Sequence, residues 1–200
     1  MNAPALPRGL YGIADSRFGD PFELALSLAR GGCQTVQIRA KGWSAEDLII
    51  RGRSEVARLR ALGAIVIIND HYQAAHALKA DGVHLGQDDP SPEEARETLG
   101  PDAIIGLSTH DLTQVRAAEG VSYIGFGPVF HTSTKDHAGA PRGLPLLRQA
   151  VCATALPVIA IGGINQARVA SVRDSGAYGW AVASSLFTSE SVSGAISRLS

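Results

Sequence analysis

Two aspartates, Asp70 and Asp89, each close a short apolar run and stand at the ends of what read as consecutive strands. Neighbouring strands lie about 4.8 Å apart, so the two carboxylates can share one hard cation together with water and phosphate oxygens, a spacing that suits Mg2+. An aspartate in such a place also caps the helix that follows, and spacing alone leaves both roles open. A second group follows the preceding run: Gln37, Arg39 and Lys41 alternate with Val36, Ile38 and Ala40, so two cations and an amide point one way. Turned inward they would stabilise an anion; turned outward they are a solvated strand end. Gly162-Gly163 and the segment around Ser184 leave backbone N–H groups unobstructed near helix starts, an arrangement that takes phosphate, although glycine there also serves a plain tight turn.

The elements that must carry these residues are legible as eight short runs rich in Val and Ile, at 10–15, 35–40, 64–70, 82–87, 103–109, 123–129, 157–163 and 179–187. Between them lie segments of helical periodicity. Pro21 after Asp20 opens a helix over 21–30, and Ser44 with Asp47 reads as a capping box before a long amphipathic stretch. Further helices are expected over 71–79, 92–99, 111–119, 144–153, 166–174 and 190–199. One helix after each strand implies parallel pairing through right-handed crossovers. Eight repeats of roughly 25 residues predict a closed (β/α)8 TIM barrel, with an open doubly wound sheet as the rival. The chain of 200 residues has room for a single domain, 1–200, with its core over about 9–188.

In such a barrel the loops after the strands converge on the active site, so the polar strand ends matter most. They include Asn69-Asp70, Gln87-Asp88-Asp89, Ser108-Thr109-His110, Thr132 to Lys135, and Ala183-Ser184-Ser185. The polar stretch 130–143 is too long for a simple connection and reads as a lid that closes over a reactive intermediate. His84, inside a strand, is expected to make a satisfied core hydrogen bond, while His71, His76 and His137 lack a companion at metal-ligand spacing.

Net charge is −1, so no global field draws nucleic acid or an anionic membrane. No segment reaches the roughly 20 apolar residues of a membrane span, and the first residues carry no signal core, so a cytoplasmic location is expected. Cys33 and Cys152 read as structural, with neither zinc nor disulfide spacing. Phosphorylated small molecules are therefore the expected partners; oligomeric state is open, a homodimer being one option.

The segments V-Q-I-R-A-K, I-I-N-D, D-G-V-H-L-G-Q-D-D, I-I-G-L-S-T-H, Y-I-G-F-G-P-V-F-x-T-S-T-K and A-I-G-G-I, in this order and over 10–187, resemble the thiamine phosphate synthases and, less closely, the related thiazole tautomerases. The resemblance implies a transferase of the thiamine pathway with Mg2+ as cofactor. It implies that Gln37, Arg39, Lys41, Asn69, Ser108 and Lys135 hold a hydroxymethylpyrimidine diphosphate, with Arg39, Lys41, Ser108 and Lys135 as the catalytic set. It makes Asp70 and Asp89 the metal ligands, and assigns Thr132, Thr134, Gly163, Ala183 and Ser184 to a thiazole phosphate, carboxylated or not. The chain departs from the family pattern where Ala40 replaces the Glu of Q-x-R-E-K, which predicts a packing difference, and where His131 and Ser133 replace lid prolines. A tautomerase using His110 as acid and base, and a non-catalytic ligand-sensing barrel, are the alternatives. A sugar-phosphate isomerase lacks its general base, since no Glu closes a strand.

Overall fold

The computed structural model describes residues 6–132, 134, 139–188 and 191–200. Eight parallel strands close in chain order into a barrel: β1 Gly9–Asp15, β2 Thr35–Arg39, β3 Ile65–Asn69, β4 Gly82–Leu85, β5 Ile104–Thr109, β6 Tyr123–Phe126, β7 Val158–Ile161 and β8 Gly179–Val182, with β8 pairing back on β1. The helices between them are α1 Pro21–Arg30, α2 Ala45–Ala61, α3 Tyr72–Leu78, α4 Pro92–Leu99, α5 Leu112–Ala117, α6 Gly143–Cys152 and α7 Gln166–Arg173; α8 Ser184–Phe187 and α9 Val192–Leu199 follow β8. The barrel expected from the eight runs is the observed fold. The open-sheet rival falls because β1 and β8 are hydrogen-bonded neighbours.

Local chemistry sets the helix starts. The Asp20 carboxylate accepts from the N–H groups of Phe22 and Glu23 ahead of Pro21, whose missing N–H costs nothing at that position. Ser44 and Asp47 form the reciprocal capping box at α2. Ser91, Asp111 and Ser191 cap α4, α5 and α9 in one direction, their side chains accepting from the N–H groups of Glu94, Gln114 and Gly194.

Apolar side chains separate into two cores. A large cluster fills the layer between the outer barrel face and the helices, around Leu26, Leu28, Val36, Ile38, Val56, Leu59, Val66 and Ile68. A smaller one fills the barrel interior with Leu6, Tyr11, Ile13, Ile67, Ile104, Tyr123, Ile159 and Ala181. Ala40 belongs to the outer cluster, as its alternation with Gln37 and Arg39 predicts. No helix among the described residues is long and apolar enough to cross a membrane.

Three expectations are corrected. The run 179–187 is not one strand: β8 ends at Val182 and the chain coils into α8. Pairing explains this, since the β1 ladder ends at Gly12 opposite Val182 and the β7 ladder at Ile161 opposite Ala181. Past that point a strand would leave its N–H and C=O groups without a ladder, and one helical turn satisfies them internally. Second, β8 is followed by two helices, and a 3-10 turn Ser16–Phe18 precedes α1. Third, the helix expected over 190–199 spans Val192–Leu199. Of the expected lid, Ser133 and residues 135–138 lie outside the described residues, and the candidate Lys135 with them.

Candidate active site

The loops at the C-terminal ends of the strands surround a cavity of about 500 Å3 whose floor is made by Tyr11, Ile13, Tyr123, Ile159 and Ala181. Gln37, Arg39, Lys41, Asn69, Asp70, Asp89, Ser108, Thr132, Thr134, Gly163, Ala183 and Ser184 all line it, as does His110. The candidates drawn from separate strand ends thus converge on one space wherever they are described.

The β2 side is built from charges. Gln37 is 4% exposed and its Nε2 donates to the Tyr11 hydroxyl at 3.0 Å, so it is part of the interior wall rather than a solvated end. Arg39 lies opposite Asp15 in the β1–β2 register and its Nη1 donates to the Asp15 carboxylate. Asp15 is 1% exposed; its other oxygen accepts from the Arg17 N–H and anchors the 3-10 turn. A guanidinium has five N–H donors in a fixed fork, so this contact orients Arg39 and leaves donors for the cavity. Lys41 follows the end of β2 with its N–H held by Ser16 Oγ at 3.1 Å.

Asp70 and Asp89 meet on the β3–β4 side. Neither caps a helix: α3 begins at Tyr72 with His71 in the N-cap position and no side-chain cap, and α4 is capped by Ser91. Asp70 has φ 65°, a left-handed backbone uncommon for aspartate, and its N–H donates to the His84 carbonyl at 2.9 Å. Asp89 accepts from the Gly86 N–H at 2.6 Å. Burial, reinforced by the charge of Asp89 and a side-chain hydrogen bond with it, pushes the Asp70 carboxyl up to about 6, against the opposing pull of Lys41 and Arg39. Such a pair fits a divalent cation, which removes the repulsion. Among the described residues no set of three His, Cys, Asp or Glu side chains forms a complete metal cage. Mg2+ ordinarily takes one or two carboxylates and completes its shell with water and substrate phosphate, so two suffice.

The opposite side, around β7 and β8, is lined by uncharged residues, Gly162, Gly163, Ala183 and Ser184 beside aliphatic ones such as Ile161 and Val182. Gly162 and Gly163 have φ 103° and 62°, and a Cβ at Gly163 would stand 2.3 Å from the His131 carbonyl oxygen. Glycine is required there by conformation and by close approach. Arg168 Nη1 donates to the Gly163 carbonyl, fixing the turn. Ala183 and Ser184 follow β8 where α8 begins. Thr132 Oγ1 accepts from the Thr134 N–H at 3.2 Å.

His110 Nδ1 lies 2.7 Å from the Gly127 carbonyl, which can only accept, so Nδ1 carries a proton. His84, expected in the core, bonds to Tyr123 and Ser108 yet also faces the cavity. Sequence reasoning passed over Asp15, Tyr11 and Tyr123. Asp15 closes the first apolar run just as Asp70 closes the third, and that was its available signal; the tyrosines look like ordinary core residues.

A family model described as thiamine monophosphate synthase matches residues 10–186. The thiamine-phosphate synthase of Chlorobium phaeobacteroides is 41% identical over 173 residues, covering 85% of this chain and 84% of that protein. The thiamine-phosphate synthase of Myxococcus xanthus is 37% identical over 207 residues, 100% of this chain and 95% of that protein. Among solved structures, thiamine phosphate pyrophosphorylase from Pyrococcus furiosus superposes with a TM-score of 0.86 at 34% identity, over 96% of this chain and 93% of that one. By sequence and by structure, the chain belongs to the thiamine monophosphate synthase family.

Proposed function

We propose that the protein joins 4-amino-2-methyl-5-hydroxymethylpyrimidine diphosphate to thiazole phosphate, giving thiamine phosphate and free diphosphate. The observation that carries this reading is the division of one cavity into a wall of charged side chains on β2 to β4 and an uncharged wall on β7 and β8 in which Gly162, Gly163, Ala183 and Ser184 leave main chain within reach. The first suits a diphosphate that must leave; the second suits a phosphate that only anchors its molecule.

In this reaction the bond between the pyrimidine methylene carbon and the diphosphate oxygen breaks first. The electron-rich aminopyrimidine carries the positive charge, and the thiazole nitrogen lone pair then forms the new C–N bond. No protein nucleophile is needed. Gln37, Asn69 and Ser108 hold the pyrimidine, while Arg39, oriented by Asp15, and Lys41 meet the negative charge that builds on the departing diphosphate. Lys135 is assigned to the same task. Asp70 and Asp89 are suited to hold Mg2+, whose charge when bound assists departure of the diphosphate. Thr132 and Thr134, with the main chain of Gly163, Ala183 and Ser184, anchor the thiazole phosphate, and closure over the cavity keeps water from the cation.

The test is formation of thiamine phosphate from the two substrates by purified protein, with and without Mg2+. Metal-dependent product is expected. No product, together with accelerated exchange between the thiazole tautomers, would overturn it in favour of proton transfer by His110, whose placement on the cavity wall with Nδ1 held by Gly127 supports that second reading.

A further inference from the structure

Beneath the cavity five side chains from five strands are hydrogen-bonded in series. Gln37 Nε2 donates to the Tyr11 hydroxyl at 3.0 Å; that hydroxyl lies 2.8 Å from the Tyr123 hydroxyl, which lies 2.9 Å from His84 Nδ1; and His84 Nε2 lies 2.9 Å from Ser108 Oγ. The series starts and ends on residues assigned above to the pyrimidine. Its middle is buried, with Tyr11 at 3% and Tyr123 at 1% exposure.

We propose that this series runs in one direction only, so that Ser108 is held as a hydrogen-bond donor to the substrate and Tyr123 and His84 are positioning residues for it. Counting protons gives the direction. An amide nitrogen donates and cannot accept, so the Tyr11 oxygen is the acceptor from Gln37. Tyr11 has one proton, and in a buried place an unpaired donor is costly, so that proton goes to the Tyr123 oxygen. Tyr123 must then donate its own proton to His84 Nδ1. An imidazole accepting at Nδ1 is neutral with its proton on Nε2, and that proton goes to Ser108 Oγ. The Ser108 hydroxyl, its oxygen already accepting, turns its proton to the cavity, toward a lone pair on a substrate nitrogen or oxygen. Among these five side chains, reversing a link leaves the Tyr11 proton without an acceptor in the series or sets two protons facing each other. The Ser108 main chain is held as well, its carbonyl accepting from Gln87 Nε2 at 2.6 Å.

Two glycines make room for the middle of the series. A Cβ at Gly106 on β5 would stand 2.1 Å from Tyr123 Cζ and 2.5 Å from His84 Nδ1, and one at Gly125 on β6 would stand 3.2 Å from His84 Cε1. The adjacent strands β5 and β6 thus carry no side chain where the ring and the phenol meet.

The assignment of Ser108 to a substrate rests on the proposed function, but the direction of the series does not, and the test separates them. In protein labelled with 15N-histidine, long-range 1H–15N correlation spectra report which ring nitrogen of His84 bears the proton, the signal being assigned by its loss in His84→Asn. The expected result is the Nε2–H tautomer at neutral pH, redistributed between both nitrogens in Tyr123→Phe. An Nδ1–H tautomer or an imidazolium in the unsubstituted protein would overturn the direction, with or without turnover. In the synthase assay Tyr123→Phe should lower kcat roughly 10- to 100-fold, as loss of a positioning contact does, with KM for thiazole phosphate nearly unchanged. Tyr11→Phe, which leaves the links from Tyr123 to Ser108 in place, should do less. Full kcat in Tyr123→Phe would overturn the positioning role, and a fall in thermal stability with the tautomer and kcat unmoved would assign these residues to packing alone.

Discussion

The two walls of the cavity are made of different material. On β2 to β4 the lining is charged side chains, with Gln37, Arg39 and Lys41 beside Asp70 and Asp89 and the buried Asp15 behind Arg39. On β7 and β8 it is uncharged, with Gly162, Gly163, Ala183 and Ser184 beside the aliphatic side chains of Ile159, Ile161, Ile164 and Val182. Fixed charges change a rate when the charge they meet differs between ground and transition state; interactions equal in both only bind. In the proposed reaction a departing diphosphate gains charge, whereas the phosphate of the thiazole keeps its own. The contrast therefore predicts that damage to the charged wall appears in kcat and damage to the backbone wall in KM.

The largest effect should come from Arg39→Ala. Loss of one preorganised cation at a developing anion costs roughly 10²- to 10³-fold in kcat. It also leaves Asp15 as a buried carboxylate without its partner, so thermal stability falls as well. Asp15→Asn keeps Arg39 and the shape of the site, and should show a smaller fall in kcat through misorientation. Steady-state kinetics on both variants checks this. An Arg39→Ala enzyme that loses only affinity for the thiazole would erase the distinction between the walls.

Next is the carboxylate pair. Asp89→Asn should raise the Mg2+ concentration needed for half-maximal activity by at least roughly 10- to 100-fold, the loss found even for groups that only support a metal ligand, and an unchanged titration would remove Asp89 from the metal. The raised Asp70 carboxyl adds a pH dependence. Proton and metal compete for the same oxygens, and because the pKa is raised, that competition extends to about 6 instead of ending near the usual carboxylate range. Apparent Mg2+ affinity should therefore climb as pH rises toward about 6 and level off above it. In Asp89→Asn the first neighbouring charge is gone, and the levelling should move to lower pH.

The two walls were also unequally legible in the sequence. Gln37, Arg39, Lys41, Asp70 and Asp89 announce themselves because charge at the end of an apolar run is unusual, and alternation gives their side. Asp15 carries the same signal at the end of the first run and was passed over; what it does is decided by Arg39, 24 residues away, which it meets only through the β1–β2 register. Tyr11, Tyr123 and His84 read as core because hydrogen bonding between separate strands leaves no local pattern. The backbone wall is written only as glycine, a residue that a plain turn would use equally, and the choice between those readings needs the Gly163 φ and its approach to His131. The run 179–187 misled for a related reason: a short apolar run does not distinguish a strand from a strand and one turn of helix, whereas helices with caps, such as α1 and α2, were placed by their first residues.

The smallest effects test the backbone wall. Gly163→Ala places a methyl against the His131 carbonyl at a φ of 62°, so stability should fall by about 1–2 kcal/mol from the left-handed backbone alone. KM for thiazole phosphate should rise, roughly tenfold if one hydrogen bond of about 1.4 kcal/mol is lost, with kcat changed less. Ser184→Ala is the sharper probe because it removes a hydroxyl and leaves the N–H in place. If the main chain does the holding, KM for thiazole phosphate should change by less than about threefold, below the worth of one ordinary hydrogen bond. A loss comparable to that of Gly163→Ala would mean that the Ser184 side chain carries the phosphate. The β8 end of the cavity would then work as the β2 end does, through side chains whose identity matters, and the difference between the walls would be one of charge alone.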